Sequence, residues 1–99
     1  MKDVTMEDFQ REVLEARGLT VVDFRAPRCS RCRAMELVLA DVEQDGVRVV
    51  RIDVDKQPQL AKKYAVMSLP TVIVFLNGEV LEKRIGLCTH EDITDMLAI

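Results

Sequence analysis

Apolar positions recur along the chain in two rhythms. Met6, Phe9, Val13 and Ala16 fall on one helical face, behind the capping sequence Thr5-Met6-Glu7-Asp8, and predict a first helix ending near Gly18. Leu19 to Phe24 is a short valine-rich run broken only by Thr20 and Asp23, which reads as a buried strand. A second helix is predicted to start close to Cys29, with Met35, Val38, Leu39 and Val42 as its stripe and Gly46 as its stop. Val47 to Val54 predicts another strand, and Pro58 to Tyr64 a weak helix. Thr71 to Leu76 and Val80 to Ile85 flank Asn77-Gly78, the strongest short hairpin signal. Thr89-His90-Glu91-Asp92 repeats the capping pattern ahead of Ile93, Met96 and Leu97.

The predicted order is helix, strand, helix, strand, helix, hairpin, helix. The early strands suit parallel pairing through right-handed crossovers, and the hairpin is antiparallel. The fold class is therefore α/β, a central mixed sheet with helices on both faces. At 99 residues the chain can bury one core and not two, so 1–99 reads as a single domain.

Composition narrows the function classes. The net charge of −3 gives no support to nucleic-acid binding. No run of about 18 apolar residues is present, so no membrane span is expected. The acidic, amphipathic N-terminus lacks the features of a secretory signal, and a cytoplasmic location follows by default, although a mature exported form would look the same. Three cysteines are too few for a disulfide framework. In a reducing compartment a tight Cys-x-x-Cys is more often catalytic or metal-binding than structural.

The candidate chemistry lies in Cys29-Ser30-Arg31-Cys32, where the first strand turns into the second helix. A helix N-terminus favours an anion, so a thiolate at Cys29 is stabilised there. Cys32 sits deeper in the first turn. One exposed thiolate with a shielded thiol behind it is the arrangement that disulfide exchange requires. Asp23 interrupts the apolar strand. It reads either as an exposed residue at a strand end or as a buried carboxyl whose pKa is raised by desolvation.

VVDFRAPRCSRCRAMELVL, RIDVDKQPQLAKKYAVMSLPTVIVFLNGEVLEKRIG and the terminal helix together resemble the thioredoxin family over nearly the whole chain. The resemblance implies the thioredoxin fold and a protein disulfide oxidoreductase. Cys29 would be the nucleophile and Cys32 the resolving thiol. Asp23 would match the family's buried aspartate, which moves a proton from the resolving cysteine. Leu69-Pro70 would be a cis peptide facing the cysteines. Arg28, Ser30, Arg31, Leu69, Pro70, Thr71 and Gly86 would contact substrate. No bound cofactor is implied; electrons would come from a thioredoxin reductase using NADPH, or another donor, and pass to protein disulfides. The protein is expected to act as a monomer.

The chain departs from the family around the sulfurs. The usual Trp-Cys-Gly-Pro-Cys-Lys is here Arg28-Cys29-Ser30-Arg31-Cys32-Arg33, and Arg25 replaces a second common tryptophan. Leu37 stands where a helix-kinking proline is usual, so a straighter second helix is expected. Arg51 falls where the family often has a lysine near the aspartate; a solvated surface arginine is the alternative. Positive charge beside a thiolate stabilises the reduced protein and makes its disulfide a stronger oxidant. Arg25, Arg31, Arg33 and Arg51 are thus candidates for electrostatic tuning, against the plainer reading of a solvated charged face.

Two other readings compete. Cys29, Cys32, Cys88 and His90 are formally a Cys₃His zinc set, although Cys-x-His is a poor chelate. A redox-inactive adaptor on the same fold is the second. Cys88 alone reads as a small apolar packing residue, with a redox-regulated or dimer-forming thiol as the alternative, and His90 as an exposed first-turn residue.

Overall fold

The fold is described from a computed structural model covering residues 1–98. Its elements are β1 (Lys2–Asp3), α1 (Met6–Phe9, continuing as a π-helical turn over Gln10–Leu14), β2 (Leu19–Arg25), α2 (Ser30–Gln44), β3 (Arg48–Asp53), α3 (Pro58–Lys63), β4 (Thr71–Leu76), β5 (Glu79–Ile85) and α4 (His90–Leu97). The sheet order is β1-β3-β2-β4-β5. Strands β1, β3 and β2 run parallel, and β4 and β5 antiparallel to their neighbours. This is the mixed sheet expected from the pattern.

Alternation along the strands divides the core in two. Val21, Val49, Val72 and Val74 pack with Met35, Leu39 and Val42 of α2 and Ile93, Met96 and Leu97 of α4. Val22, Phe24, Val50, Ile52, Ile73 and Phe75 pack on the other face with Phe9, Val13 and Leu60. On that second face Tyr64 stacks edge-on against Phe75, with ring centroids 5.6 Å apart, in a chain that has no tryptophan.

Three local expectations change. Strand β1 has no apolar pattern to announce it; it is held by pairing with β3. The first helix stops earlier than Gly18, because the Glu15 N–H bonds the Gln10 carbonyl five residues back (2.9 Å) and opens a wider turn. Phe9 and Val13 are buried as expected, but Met6 is exposed in the opening turn. Helix α2 is α-helical throughout, with Leu37 pointing to solvent. Among the described residues no helix is long and apolar enough to cross a membrane.

Candidate functional site

Strand register gathers the site at one end of the sheet. Parallel β2 and β3 both finish there, at Arg25 and Asp53. Antiparallel β4 begins there, with Thr71 opposite Phe24, and β5 ends there, with Ile85 opposite Thr71. Helix α2 starts from the same edge.

Cys29 is the N-cap of α2. Its extended backbone (φ −99°, ψ 110°) turns the sulfur back over the first turn, where it accepts from the Cys32 N–H at 3.2 Å. The Cys29 N–H is itself tied to the Ala26 carbonyl (3.1 Å). Cys29 is half-buried, and Cys32 is buried one turn in. Burial, and next the neighbouring Cys29 sulfur, push the Cys32 thiol up to about 12, against a smaller opposing pull from the Ala26 backbone. The pair is therefore asymmetric: an accessible sulfur held by a backbone N–H, and a thiol kept protonated beneath it.

Asp23 is fully buried on the face of β2 that α2 covers. Among the described residues neither carboxylate oxygen has a hydrogen-bond partner. Desolvation, and next the charge of Glu36, raise its pKa from 3.8 to about 7, against the pull of Arg25 and Arg51.

The arginines are not one free cationic ring. Arg25 donates from Nε to Glu36 Oε1 (3.1 Å) and lies 3.6 Å from Asp53 Oδ2. Arg28 is exposed and grips Asp55 through Nε and Nη2 (3.2 and 3.1 Å). Arg51 sits opposite Asp23 in the β2–β3 ladder, yet its guanidinium goes to Asp3 (2.6 Å) and to Glu36 (3.0 Å). It is neither a solvated arginine nor a direct partner of Asp23. Arg31 and Arg33 are exposed and have no ion-pair partner among the described residues. Glu36, Asp53 and Asp55 had not been singled out in the sequence. Glu36 carried a signal, being an acid four residues after Cys32, beside the Cys32–Met35–Leu39 stripe.

Leu69-Pro70 is cis. Pro70 and Thr71 are buried, Leu69 partly so, and the Thr71 hydroxyl donates to the Ser68 carbonyl (2.7 Å). Gly86, in the left-handed region at φ 94°, donates its N–H to the Pro70 carbonyl (2.8 Å). Ser30, the first residue of α2, is exposed, as are Met67 and Leu87 around the same end.

Cys88 packs in the core behind Met35, whose sulfur accepts from the Cys88 N–H at 3.4 Å, and burial pushes its thiol up. His90 opens α4 and its Nε2 lies 2.6 Å from Asp45 Oδ2. The four formal zinc ligands are not brought together: among the described residues no group of three His, Cys, Asp or Glu could hold a metal ion.

Comparison with known proteins agrees with this geometry. The family model described as Thioredoxin matches residues 1–98. A thioredoxin of Bacillus subtilis is 36% identical over 96 residues, covering 94% of this chain and 90% of its own. One of Staphylococcus epidermidis is 37% identical over 97 residues (95% and 91% covered). One of Rickettsia bellii is 35% identical over 88 residues (86% and 84% covered). A match running from end to end, around two sulfurs built for exchange, settles the class: the chain belongs to the thioredoxin family and is a thiol–disulfide oxidoreductase.

Proposed function

We propose that the protein exchanges its Cys29/Cys32 dithiol with disulfides of other proteins, with Cys29 as nucleophile, Cys32 as resolving thiol and Asp23 as proton carrier. The Cys29 thiolate attacks one sulfur of the substrate disulfide, and the other leaves as a thiolate. Cys32 then attacks Cys29 Sγ. Its proton passes to the Asp23 carboxylate and on to the second departing sulfur. Two electrons reach the substrate, and a Cys29–Cys32 disulfide remains. The sulfurs carry the electrons themselves, so the chemistry needs no bound cofactor. A partner reductase, in this family commonly an NADPH-dependent thioredoxin reductase, would restore the dithiol.

The observation that carries this reading is the asymmetry of the two sulfurs. It also gives the order of events. Part of what keeps Cys32 protonated is the free Cys29 sulfur beside it. Once Cys29 is bonded to substrate, that contribution is gone and Cys32 is easier to deprotonate. Pro70, Thr71 and Gly86, joined across one hydrogen bond, form the ledge that receives substrate backbone, with Leu69, Ser30 and Arg28 around it. Arg31 and Arg33 tune the potential and favour acidic substrates, Arg31 most directly because it lies between the thiols. Arg25 and Arg51 act on the buried side.

Trapping tests the proposal. Cys32→Ser should leave substrate bound to Cys29 as a stable mixed disulfide, released by dithiothreitol. Equal capture by the Cys29→Ser/Cys32→Ser double variant would refute it.

A further inference from the structure

Asp23 stands in an unusual setting for a buried carboxyl. Arg25 follows it by two residues on the same strand face, and Arg51 lies across the ladder from it. Either guanidinium is a natural partner, yet among the described residues neither Asp23 oxygen has a hydrogen-bond partner. The two cations are drawn to a third residue. Glu36 Oε1 accepts from Arg25 Nε at 3.1 Å and from Arg51 Nη1 at 3.0 Å. Asp53 and Asp3 hold the outer sides of the same guanidiniums, at 3.6 and 2.6 Å.

We propose that Glu36 is a positioning residue for the proton step: one carboxylate oxygen ties Arg25 to Arg51 and so keeps both guanidiniums off Asp23. The proposal rests on Asp23 being the proton carrier. A carboxyl ion-paired to arginine stays ionised over the working pH range and is too weak a base to take the Cys32 proton. A carboxyl that is merely buried is a stronger base and can hold a proton. Glu36 selects the second state twice, by occupying the cations and by its own negative charge. The placement is a consequence of helix geometry, since Glu36 lies four residues after Cys32 and thus beneath it on α2. The charged and titratable groups around Asp23 are Arg25 on β2, Arg51 on β3, and Cys32 and Glu36 on α2, with Asp3 and Asp53 behind the arginines. On β4 its partner is the apolar Val72.

The test reads the proton on Asp23 directly. The carbonyl band of its protonated carboxyl is followed against pH by infrared difference spectroscopy of the reduced protein, with Asp23→Asn identifying the band. Glu36→Gln, of equal size, should move that titration down by about one pH unit. Glu36→Asp should retain most of the original position. Arg51→Gln should move it the other way, which damaged packing would not do. The pH profile for Cys32 resolving a preformed Cys29 mixed disulfide should shift with the band. An unmoved band in Glu36→Gln, or movement in one direction for both Glu36→Gln and Arg51→Gln, overturns the role of Glu36. An unchanged resolution rate in Asp23→Asn instead overturns the role of Asp23 beneath it.

Discussion

The Cys32 N–H donates to the Cys29 sulfur across 3.2 Å, so the first thiol caps the helix that carries the second. A sulfur in that position accepts the orphan N–H and meets the positive end of the helix dipole. Cys32 and Cys88 are buried, and burial pushes both thiols up; at Cys32 it outweighs the pull of the Ala26 backbone. Iodoacetamide added to the folded, reduced protein near neutral pH should therefore alkylate Cys29 first. Cys32 and Cys88 should follow at least tenfold more slowly. Time-resolved peptide mapping checks the order, and comparable rates at all three sulfurs would contradict the asymmetry.

Asp23 should make the protein less stable as pH rises. Its pKa is raised in the fold, so the folded state holds a proton that the unfolded chain releases near 3.8. Stability from this group is complete below the unfolded value and is lost as pH rises through about 7. The shift from 3.8 to about 7 corresponds to about 4 kcal/mol as an upper bound. Asp23→Asn removes the loss. Urea unfolding should find the variant more stable than the parent at pH 8 and by a much smaller margin at pH 4. A constant difference across that range would mean that Asp23 titrates normally in the fold.

Arg31→Pro should make the potential more reducing. Arg25 is engaged by Glu36 and Asp53, and Arg28, which also feels both sulfurs, has its charge partly offset by Asp55. Arg31 has no such partner among the described residues and stands between the cysteines. Removing its charge withdraws support from the thiolate and so from the reduced form. The effect should be modest and should shrink from low salt to 1 M salt, where the screening length is about 3 Å. Redox equilibration against glutathione at both salt concentrations measures it. A potential unaltered at low salt would assign Arg31 to substrate contact alone.

Much of this was legible because it is local. Continuous apolar, β-branched runs located β2 and β4 closely, the 3.6-residue pattern located α2, and the Asn77-Gly78 hairpin was plain. Capping residues marked two helix starts, and both Thr5 and Thr89 accept from the N–H three residues on. What stayed hidden depends on distant parts of the chain. Strand β1 is two charged residues recruited by β3. The wide turn at Gln10–Leu14 breaks the 3.6-residue rhythm that predicted the helix end. The ion pairs of the arginines were not legible because their partners lie elsewhere, Asp55 being 27 residues from Arg28 and Glu36 being 11 from Arg25. Asp23 was visible as an anomaly in an apolar strand. That both its neighbouring guanidiniums turn away from it required the packed α2.

Gly78→Ala should weaken the fold while leaving the redox site intact. Asn77 and Gly78 both have positive φ (51° and 84°), which gives the hairpin the twist of its strands. Asn77 also clasps the start of β2: its N–H donates to the Gly18 carbonyl (2.9 Å), and its Oδ1 accepts from the Gly18 N–H (2.7 Å). This holds Gly78 so close to the π-helical turn that an added Cβ would collide with the Leu14 carbonyl. Backbone opposes backbone there, and no side chain can swing aside. The strain of a positive φ adds to the clash, for a loss of about 2 kcal/mol. The turn lies at the opposite end of the sheet from the cysteines, since Leu76 pairs with Leu19 whereas Thr71 pairs with Phe24. Urea titration should thus show a lowered midpoint, and glutathione equilibration an unchanged potential. A shifted potential would show that strain at the hairpin reaches the cysteines through β2.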